Sequence, residues 1–367
     1  MGLFVKDDVN IFAEDLEENK WVTDFNKTNL FKFDQKVNAF YTVFGHAIEP
    51  FSFSVGLRAE QVNITSNLVS TNEVVHNDYF RLYPSASIAW EMDDYKELQL
   101  SYSKRVNRGD TDEHNPFAEY DDPRTRDLGN PRLLPEQVHS LELSYRTQNR
   151  HFTFMPSLYY RYKYDAFTEF REIVQDTVLQ TTFINFANET AAGMELILSG
   201  QLKKVDYNFS FNAFYNEVDG TNLGLPGTQS QVSWDSKLAM STSLTKTTNF
   251  QLNAHYLSSR LTPQGVFQPL ILLNAGLRQD IWNHRASLFF TISDIFASVE
   301  FESQIDNPNL FWNTKYGRNN QIFHVGFNYR FGKGYAKQRE KLAFEDVLED
   351  PKPQPEDEDE EEEDEEE

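Results

Sequence analysis

Apolar and polar side chains alternate along most of this chain with a period of two residues. The stretch from 321 to 331 shows the pattern clearly, with one face formed by Phe323, Val325, Phe327, Tyr329 and Phe331. Successive residues of a β-strand point to opposite sides of the sheet, whereas a helix repeats about every 3.6 residues. The alternation therefore predicts strands with one apolar and one polar face, and the chain is predicted to be all-β.

About 14 such runs fit between residues 31 and 332. Their cores fall near 35–45, 51–63, 79–91, 95–106, 137–147, 150–164, 177–187, 191–200, 205–218, 230–244, 248–260, 269–281, 285–296 and 319–331, with 298–316 as a further candidate. Many of these runs exceed the length of about 5–6 residues that is usual for strands in soluble proteins. A tilted strand needs about 9–11 residues to cross a bilayer, so the lengths favour membrane-spanning strands.

The two predicted faces also differ as expected for a barrel wall in a membrane. One is rich in Asn, Ser, Thr, Gln and Arg, and the other carries aromatic residues near strand ends, at Trp90, Tyr164, Trp234 and Trp282. The long connections at 106–136 and 219–230 are expected outside the cell. We predict an antiparallel transmembrane β-barrel portion of about 14 strands in the outer membrane. A soluble all-β binding protein that buries these aromatics in a core is the alternative.

The negative charge is concentrated at the carboxy terminus. Of the net −23, residues 334–367 contribute −13, from 17 acidic against 4 basic side chains, and twelve carboxylates end the chain. Such a run predicts a disordered acidic tail at 333–367, after a segment at 1–30 that enters the barrel and a barrel domain at 31–332. The acidic balance argues against nucleic acid as a partner. The absence of Cys excludes disulfides, and no apolar run reaches the length of a membrane helix.

The segment from 101 to 146 carries a specific arrangement of turn-forming residues. A strand ends at Arg105, and the key positions that follow are Asn115, Pro116, Phe117, Gly129, Asn130, Pro131, Leu133, Pro135 and Glu136. Asn-Pro and Gly-Asn-Pro form turns because Pro fixes its φ angle and Asn and Gly tolerate tight backbone geometry. This arrangement resembles the barrel of TonB-dependent outer-membrane receptors, in the outer membrane protein beta-barrel subgroup typical of Bacteroidetes. The stretches 29–60 and 327–334 also resemble that family.

The resemblance implies a barrel of about 22 strands, plugged by an amino-terminal domain, that imports a scarce nutrient with energy relayed by TonB. No signal peptide, plug or TonB-contacting segment is visible, so we expect a carboxy-terminal portion of such a barrel. TonB is then a partner only if a plug is supplied upstream. Outer-membrane lipid and the barrel assembly machinery are further expected partners, and the assembly signal is expected at Phe327, Tyr329 and Phe331. A passive porin-like or structural barrel is the alternative function.

Few residues stand out as candidates for a site. Phe117, Tyr120 and Arg124 lie in the longest loop and are candidates for ligand contact, because aromatic and Arg side chains suit exposed binding sites. A solvated loop without a ligand is the alternative. The resemblance implies that Glu136 pairs with a basic plug residue, and a simple strand-start carboxylate is the alternative. The eight His are scattered, and the sequence shows no catalytic constellation, Gly-rich phosphate loop or nucleophile elbow. We therefore expect no enzyme, no cofactor and no metal site, and the nutrient ligand is unknown.

Overall fold

The computed structural model describes residues 2–9, 12–15, 20–23, 28–186, 188–225, 227–308, 310–317 and 321–331. The predicted acidic tail at 333–367 lies outside the described residues, as does part of the predicted segment at 1–30. Besides strands, the described residues form the short helix α1 (Thr111–His114) and a 3-10 turn at Thr221–Leu223. No helix among them is long and apolar enough to cross a membrane.

The strands of the described residues differ widely in length. In chain order they are β1 (Gly2–Val9), β2 (Phe12–Asp15), β3 (Lys20–Thr23), β4 (Asn29–Ile48), β5 (Phe51–Leu68), β6 (Glu73–Asp93), β7 (Lys96–Asn107), β8 (Glu119–Asp122), β9 (Thr125–Leu128), β10 (Glu136–Gln148), β11 (Phe152–Tyr164), β12 (Phe167–Val174), β13 (Val178–Asn185), β14 (Asn188–Leu202), β15 (Val205–Asp219), β16 (Thr228–Ser243), β17 (Thr248–Leu257), β18 (Arg260–Thr262), β19 (Gly265–Phe267), β20 (Leu270–Ile281), β21 (Ala286–Ser293), β22 (Glu300–Asn307), β23 (Leu310–Gly317) and β24 (Ile322–Tyr329).

One antiparallel sheet of 14 strands forms the wall, in the order β1-β4-β5-β6-β7-β10-β11-β14-β15-β16-β17-β20-β21-β24. Its register confirms the two predicted faces. Leu141 lies opposite Tyr160 on one face, and the adjacent Ser140 lies opposite Arg161 on the other. The apolar face is exposed along the wall, at Phe44, Phe53, Val55, Phe80, Trp90, Leu143, Leu158, Phe290 and Val325. A sheet that exposes this much apolar surface needs an apolar surrounding.

The connections between wall strands separate the wall into two rims. At one, called the turn rim, neighbouring strands are joined by the short segments 49–50, 94–95, 149–151, 203–204, 244–247 and 282–285. The opposite loop rim carries longer connections, apart from 69–72. The last strand ends at the turn rim, where the Arg330 N–H donates to the Arg285 carbonyl at 2.9 Å. The two long connections that the sequence predicted at 106–136 and 219–230 both lie at the loop rim.

One predicted wall strand is wrong. The run at 177–187 corresponds to β13, which pairs with β12 and β9 in a small sheet of the loop rim. The further candidate at 298–316 is the hairpin β22–β23, which also belongs to the loop rim. The fourteenth place in the wall is taken by β1, paired with β4. Hairpins within long loops alternate apolar and polar residues as wall strands do, so a two-residue period alone does not distinguish loop hairpins from wall strands.

Two small sheets stand on the loop rim. The first cap has the order β12-β13-β9-β8, and the second cap has the order β18-β19-β22-β23. Leu179 of the first cap and Ile305 and Leu310 of the second form a buried apolar cluster. The side chain of Gln264 accepts a hydrogen bond from the Arg171 N–H and donates one to the Arg171 carbonyl, both at 2.8 Å. These contacts join the caps into one structure.

Candidate functional site

The motif segment at 108–135 packs against the polar face of the wall near the loop rim. There, five apolar side chains of β4 and β5 form a buried cluster: Phe31, Phe33, Val62, Ile64 and Leu68. Phe117 packs against this cluster, and the His114 ring stacks on Phe33 with 5.2 Å between ring centroids. The cluster lies on the face opposite Phe44 and Val55, so the segment covers the polar side of the sheet.

An ion pair fixes the start of this segment. The Arg108 guanidinium bonds the buried Glu60 carboxylate and donates to the Tyr79 hydroxyl at 3.0 Å. Arg58, on the same strand as Glu60, donates to that carboxylate at 2.6 Å. A buried carboxylate is tolerated only when charge and hydrogen bonds compensate for its lost hydration. This network could not be predicted from the sequence, because nothing local joins positions 48 residues apart.

Backbone hydrogen bonds join the two halves of the motif. The Gly129 N–H donates to the Asn115 carbonyl at 2.7 Å, and the Asn130 N–H donates to the Glu113 carbonyl at 2.6 Å. A Cβ atom at Gly129 would overlap the Asp112 carbonyl oxygen and lie 2.6 Å from the Asn115 nitrogen. Glycine is therefore required at position 129 by this close backbone approach.

The motif also contacts the wall and the first cap. The Asn77 side chain of β6 donates to the Pro131 carbonyl at 2.8 Å, and the Asn130 side chain donates to the Phe183 carbonyl of β13 at 3.0 Å. Asn185 accepts from the Leu134 N–H and donates to its carbonyl, each at 2.9 Å. Hydrogen bonds therefore hold the family motif as a scaffold between wall and cap.

The three predicted ligand-contact residues have different surroundings. Tyr120 is exposed at the first cap, where Arg126 donates to its hydroxyl at 3.3 Å. The exposed Arg124 lies in the turn after β8, and its carbonyl accepts from the Leu179 N–H at 2.7 Å. Phe117 is partly buried against the wall cluster instead. The role of these residues in ligand contact stays a prediction.

Glu136 is the first residue of β10 and is buried at the loop rim. The charged side chains that interact electrostatically with the Glu136 carboxyl group are Lys163 and Glu189. These two side chains form an ion pair with each other at 3.1 Å. Its position on the polar face suits contact with a basic group inside the wall. The proposed contact with a plug stays a prediction.

Next to Glu136, the polar face carries a cavity of about 250 Å³ that no sequence pattern predicted. Its lining includes Tyr159, Arg161, Lys163, Asn212, Asp235 and Arg260. The Tyr159 hydroxyl donates to Asn212 at 2.9 Å, and the Arg161 guanidinium lies 4.2 Å from the centre of the Tyr159 ring. Arg260 pairs with Asp235 at 3.1 Å. These side chains come from neighbouring strands and can hold polar groups of a bound molecule.

The aromatic residues predicted to form girdles lie at both rims. Trp90 and Trp282 are near the turn rim, whereas Tyr164 and Trp234 are near the loop rim. Trp234 stacks on Tyr256 with 4.3 Å between ring centroids. Aromatic rings prefer the interface between hydrocarbon and water because they are amphipathic.

The terminal strand continues the turn-rim girdle. The Trp282 ring makes edge contacts with Phe327 and Tyr329, at 6.1 and 6.0 Å between ring centroids, and Tyr329 contacts Phe331 at 4.6 Å. All three predicted signal residues therefore lie on the apolar face. Their recognition by assembly machinery stays a prediction.

Long antiparallel strands, an exposed apolar face between aromatic girdles, and loops at one rim define the wall of an outer-membrane β-barrel. The chain belongs to the outer membrane protein beta-barrel family, whose model matches residues 2–329. The apolar face is therefore the lipid-facing surface, and the polar face is the interior surface of the wall. The protein is an outer-membrane protein and not an enzyme.

Solved structures of transport receptors share this fold at low sequence identity. The copper transporter OprC is 10% identical, with a TM-score of 0.60 over 90% of this chain and 55% of that one. The siderophore receptor PiuA from Acinetobacter baumannii is 12% identical, with a TM-score of 0.58 over 84% and 44%. The ferric yersiniabactin uptake receptor FyuA from Yersinia pestis is 12% identical, with a TM-score of 0.56 over 83% and 47%. The chain spans about half the length of these receptors. No curated protein matches it significantly.

Proposed function

We propose that the chain forms a portion of the wall of a TonB-dependent receptor that imports a nutrient ligand through the outer membrane. The observation that carries this proposal is the motif segment at 108–135, which covers the interior face at the loop rim and is held there by Arg108 and Glu60. A passive channel needs an open, hydrated interior, whereas a receptor needs fixed groups that bind. The likeness to siderophore and copper receptors supports the same class of function.

In this proposal, Tyr120 and Arg124 of the first cap contact the ligand as it arrives from outside. The charged cavity around Arg161 and Asp235 meets the ligand or a plug domain inside the wall, and Glu136 pairs with a basic plug residue. TonB is a partner in this proposal only if a plug is supplied upstream. The assembly machinery receives the terminal strand at Phe327, Tyr329 and Phe331.

The proposal is tested in the native bacterium by deleting the gene and measuring the uptake of radiolabelled nutrients, with TonB present and after TonB depletion. For a receptor, we expect the deletion to abolish the uptake of a nutrient that TonB depletion also abolishes. TonB depletion in the deletion strain should not lower the uptake of that nutrient any further. Uptake that is lost on deletion but unaffected by TonB depletion identifies a passive channel and overturns the proposal.

A further inference from the structure

A groove of about 310 Å³ lies at the seam between the two caps. The first cap contributes the β12 residues Thr168, Glu169 and Arg171. The second cap contributes most of the remaining lining, from all four of its strands. Ligand sites are usually concave, and the mouth of a β-barrel is one of their preferred places.

The register of the second cap places three aromatic side chains on the groove side. Phe301 lies opposite Tyr316, and Phe267 lies opposite Ser303, which in turn lies opposite Thr314. The residues Phe267, Phe301 and Tyr316 are 50%, 56% and 78% exposed. The groove therefore presents exposed aromatic surface with hydroxyl groups between the rings.

The charged side chains of the hairpin β22–β23 lie on the face that points away from the groove. There, Lys315 pairs with Glu302 at 2.9 Å, and Asn313 donates to the Glu302 carboxylate at 2.9 Å. On the groove side, the charged residues in the lining are Glu169 and Arg171, which pair with each other at 3.2 Å. An anionic or cationic ligand would thus meet no uncompensated charge of opposite sign in this groove.

The groove is also preorganised. Gln264 lines it and is buried, and its two hydrogen bonds to the Arg171 backbone fix the distance between the caps. A Cβ atom at Gly265 would overlap the Gln304 carbonyl oxygen, so the hairpin β18–β19 packs tightly on β22. Binding of a ligand therefore does not have to order the backbone of this groove.

From this arrangement, we infer that the seam groove binds a neutral, hydroxyl-rich ligand with apolar ring faces, namely an oligosaccharide. The C–H faces of sugar rings pack on the exposed rings of Phe301 and Tyr316. Ser303, Thr314 and Thr262 supply hydrogen bonds to sugar hydroxyls. This inference rests on the proposed import function and names the class of ligand that is imported.

The test uses the full chain, purified in detergent micelles, and isothermal titration calorimetry. The probes are maltohexaose, cellohexaose, xylohexaose and mannohexaose, with hexagalacturonate and ferric citrate as anionic comparators. We expect saturable binding of at least one neutral probe and none of the anionic ones. Phe301→Ala and Tyr316→Ala should each weaken that binding about tenfold, as truncation of an anchoring aromatic does.

The matched control is Phe311→Ala, because Phe311 is 68% exposed in the same hairpin but points to the opposite face. This variant should bind the neutral probe like the unaltered chain. Binding of no neutral probe, tighter binding of an anionic probe, or equal losses in the Phe301 and Phe311 variants each overturn the inference. If TonB-dependent uptake persists while the sugars fail to bind, only the ligand class is wrong, and the import function stands.

Discussion

At the scale of single residues, one buried carboxylate determines how the motif segment is held. Glu60 is almost completely buried and compensates the charges of Arg58 and Arg108. Exposed ion pairs contribute little to stability, whereas a buried charge that loses its partner is costly. The wall of this barrel contains both kinds of pair, which allows them to be compared within one protein.

We predict that Glu60→Ala lowers the free energy of unfolding by about 1–3 kcal/mol, because the half-buried Arg108 then keeps only its hydrogen bond to Tyr79 and loses its carboxylate partner. Urea unfolding in detergent micelles measures this change, and trypsin cleavage within 108–135 should become faster. The control is Asp34→Ala, which removes the partly exposed pair between Lys36 and Asp34 and should change the free energy by less than about 0.5 kcal/mol. Equal effects of the two variants would refute the assigned role of Glu60.

The motif segment also contains a histidine that burial keeps neutral. His114 is 2% exposed, and this burial lowers its pKa from the usual 6.5 to about 4, although a hydrogen bond with the Asn130 backbone opposes the shift. When the segment opens, the ring regains its usual pKa. Between pH 6.5 and 4 the open form therefore binds more protons than the closed form.

It follows that the segment loses local stability as the pH falls from 6.5 to 4 and changes little below that range. The loss is at most about 3 kcal/mol. Hydrogen exchange of the amides at 111–117, measured across this range, should show the decrease in protection. In His114→Asn the protection should be lower but should no longer decrease as the pH falls, because the neighbouring Glu113, whose pKa is raised by burial, acts in the opposite direction. An equally steep dependence in that variant would show that another group titrates.

At the scale of elements, the close approach of the α1 segment and the Gly129 turn joins the two halves of the motif. We predict that Gly129→Ala separates them and lowers the stability of the segment by about 1–3 kcal/mol, because the new Cβ would overlap backbone atoms that cannot move away easily. Limited proteolysis at 108–135 measures the loss. Gly45→Ala is the control, since its Cβ would meet only the Phe53 carbonyl oxygen at 3.7 Å. Similar sensitivity of both variants would contradict the packing argument.

The wall strands could be predicted because each must alternate apolar and polar residues over a membrane thickness. The caps could not, because hairpins such as β12–β13 show the same alternation without crossing the membrane. The motif positions could be recognised in the sequence as turn formers. At Gly129 the structure shows why glycine is needed, since the backbone of 112–115 approaches it too closely for a Cβ atom. By contrast, the partners Glu60 with Arg108 and Gln264 with Arg171 are 48 and 93 residues apart. Only the assembled register brings such residues together.

At the scale of the whole molecule, the alternation of short turns and long loops gives the wall a direction. Outer-membrane barrels have short turns on the periplasmic side and long loops outside the cell. Both caps and the seam groove then face the medium, where a ligand is first met. The last described residue, Phe331, lies at the turn rim, next to Trp282 and Tyr329, and thus on the periplasmic side.

The chain has no Cys, so single introduced thiols report this direction directly. Thr177, between β12 and β13, and Lys204, between β14 and β15, are both exposed and lie at opposite rims. In intact cells, a membrane-impermeant maleimide should label T177C strongly and K204C only after the outer membrane is permeabilised. Detergent-solubilised protein should label equally at both sites, which controls for intrinsic reactivity. Labelling of K204C but not T177C in intact cells would place the caps in the periplasm, and the seam groove would then be unable to receive a ligand from outside.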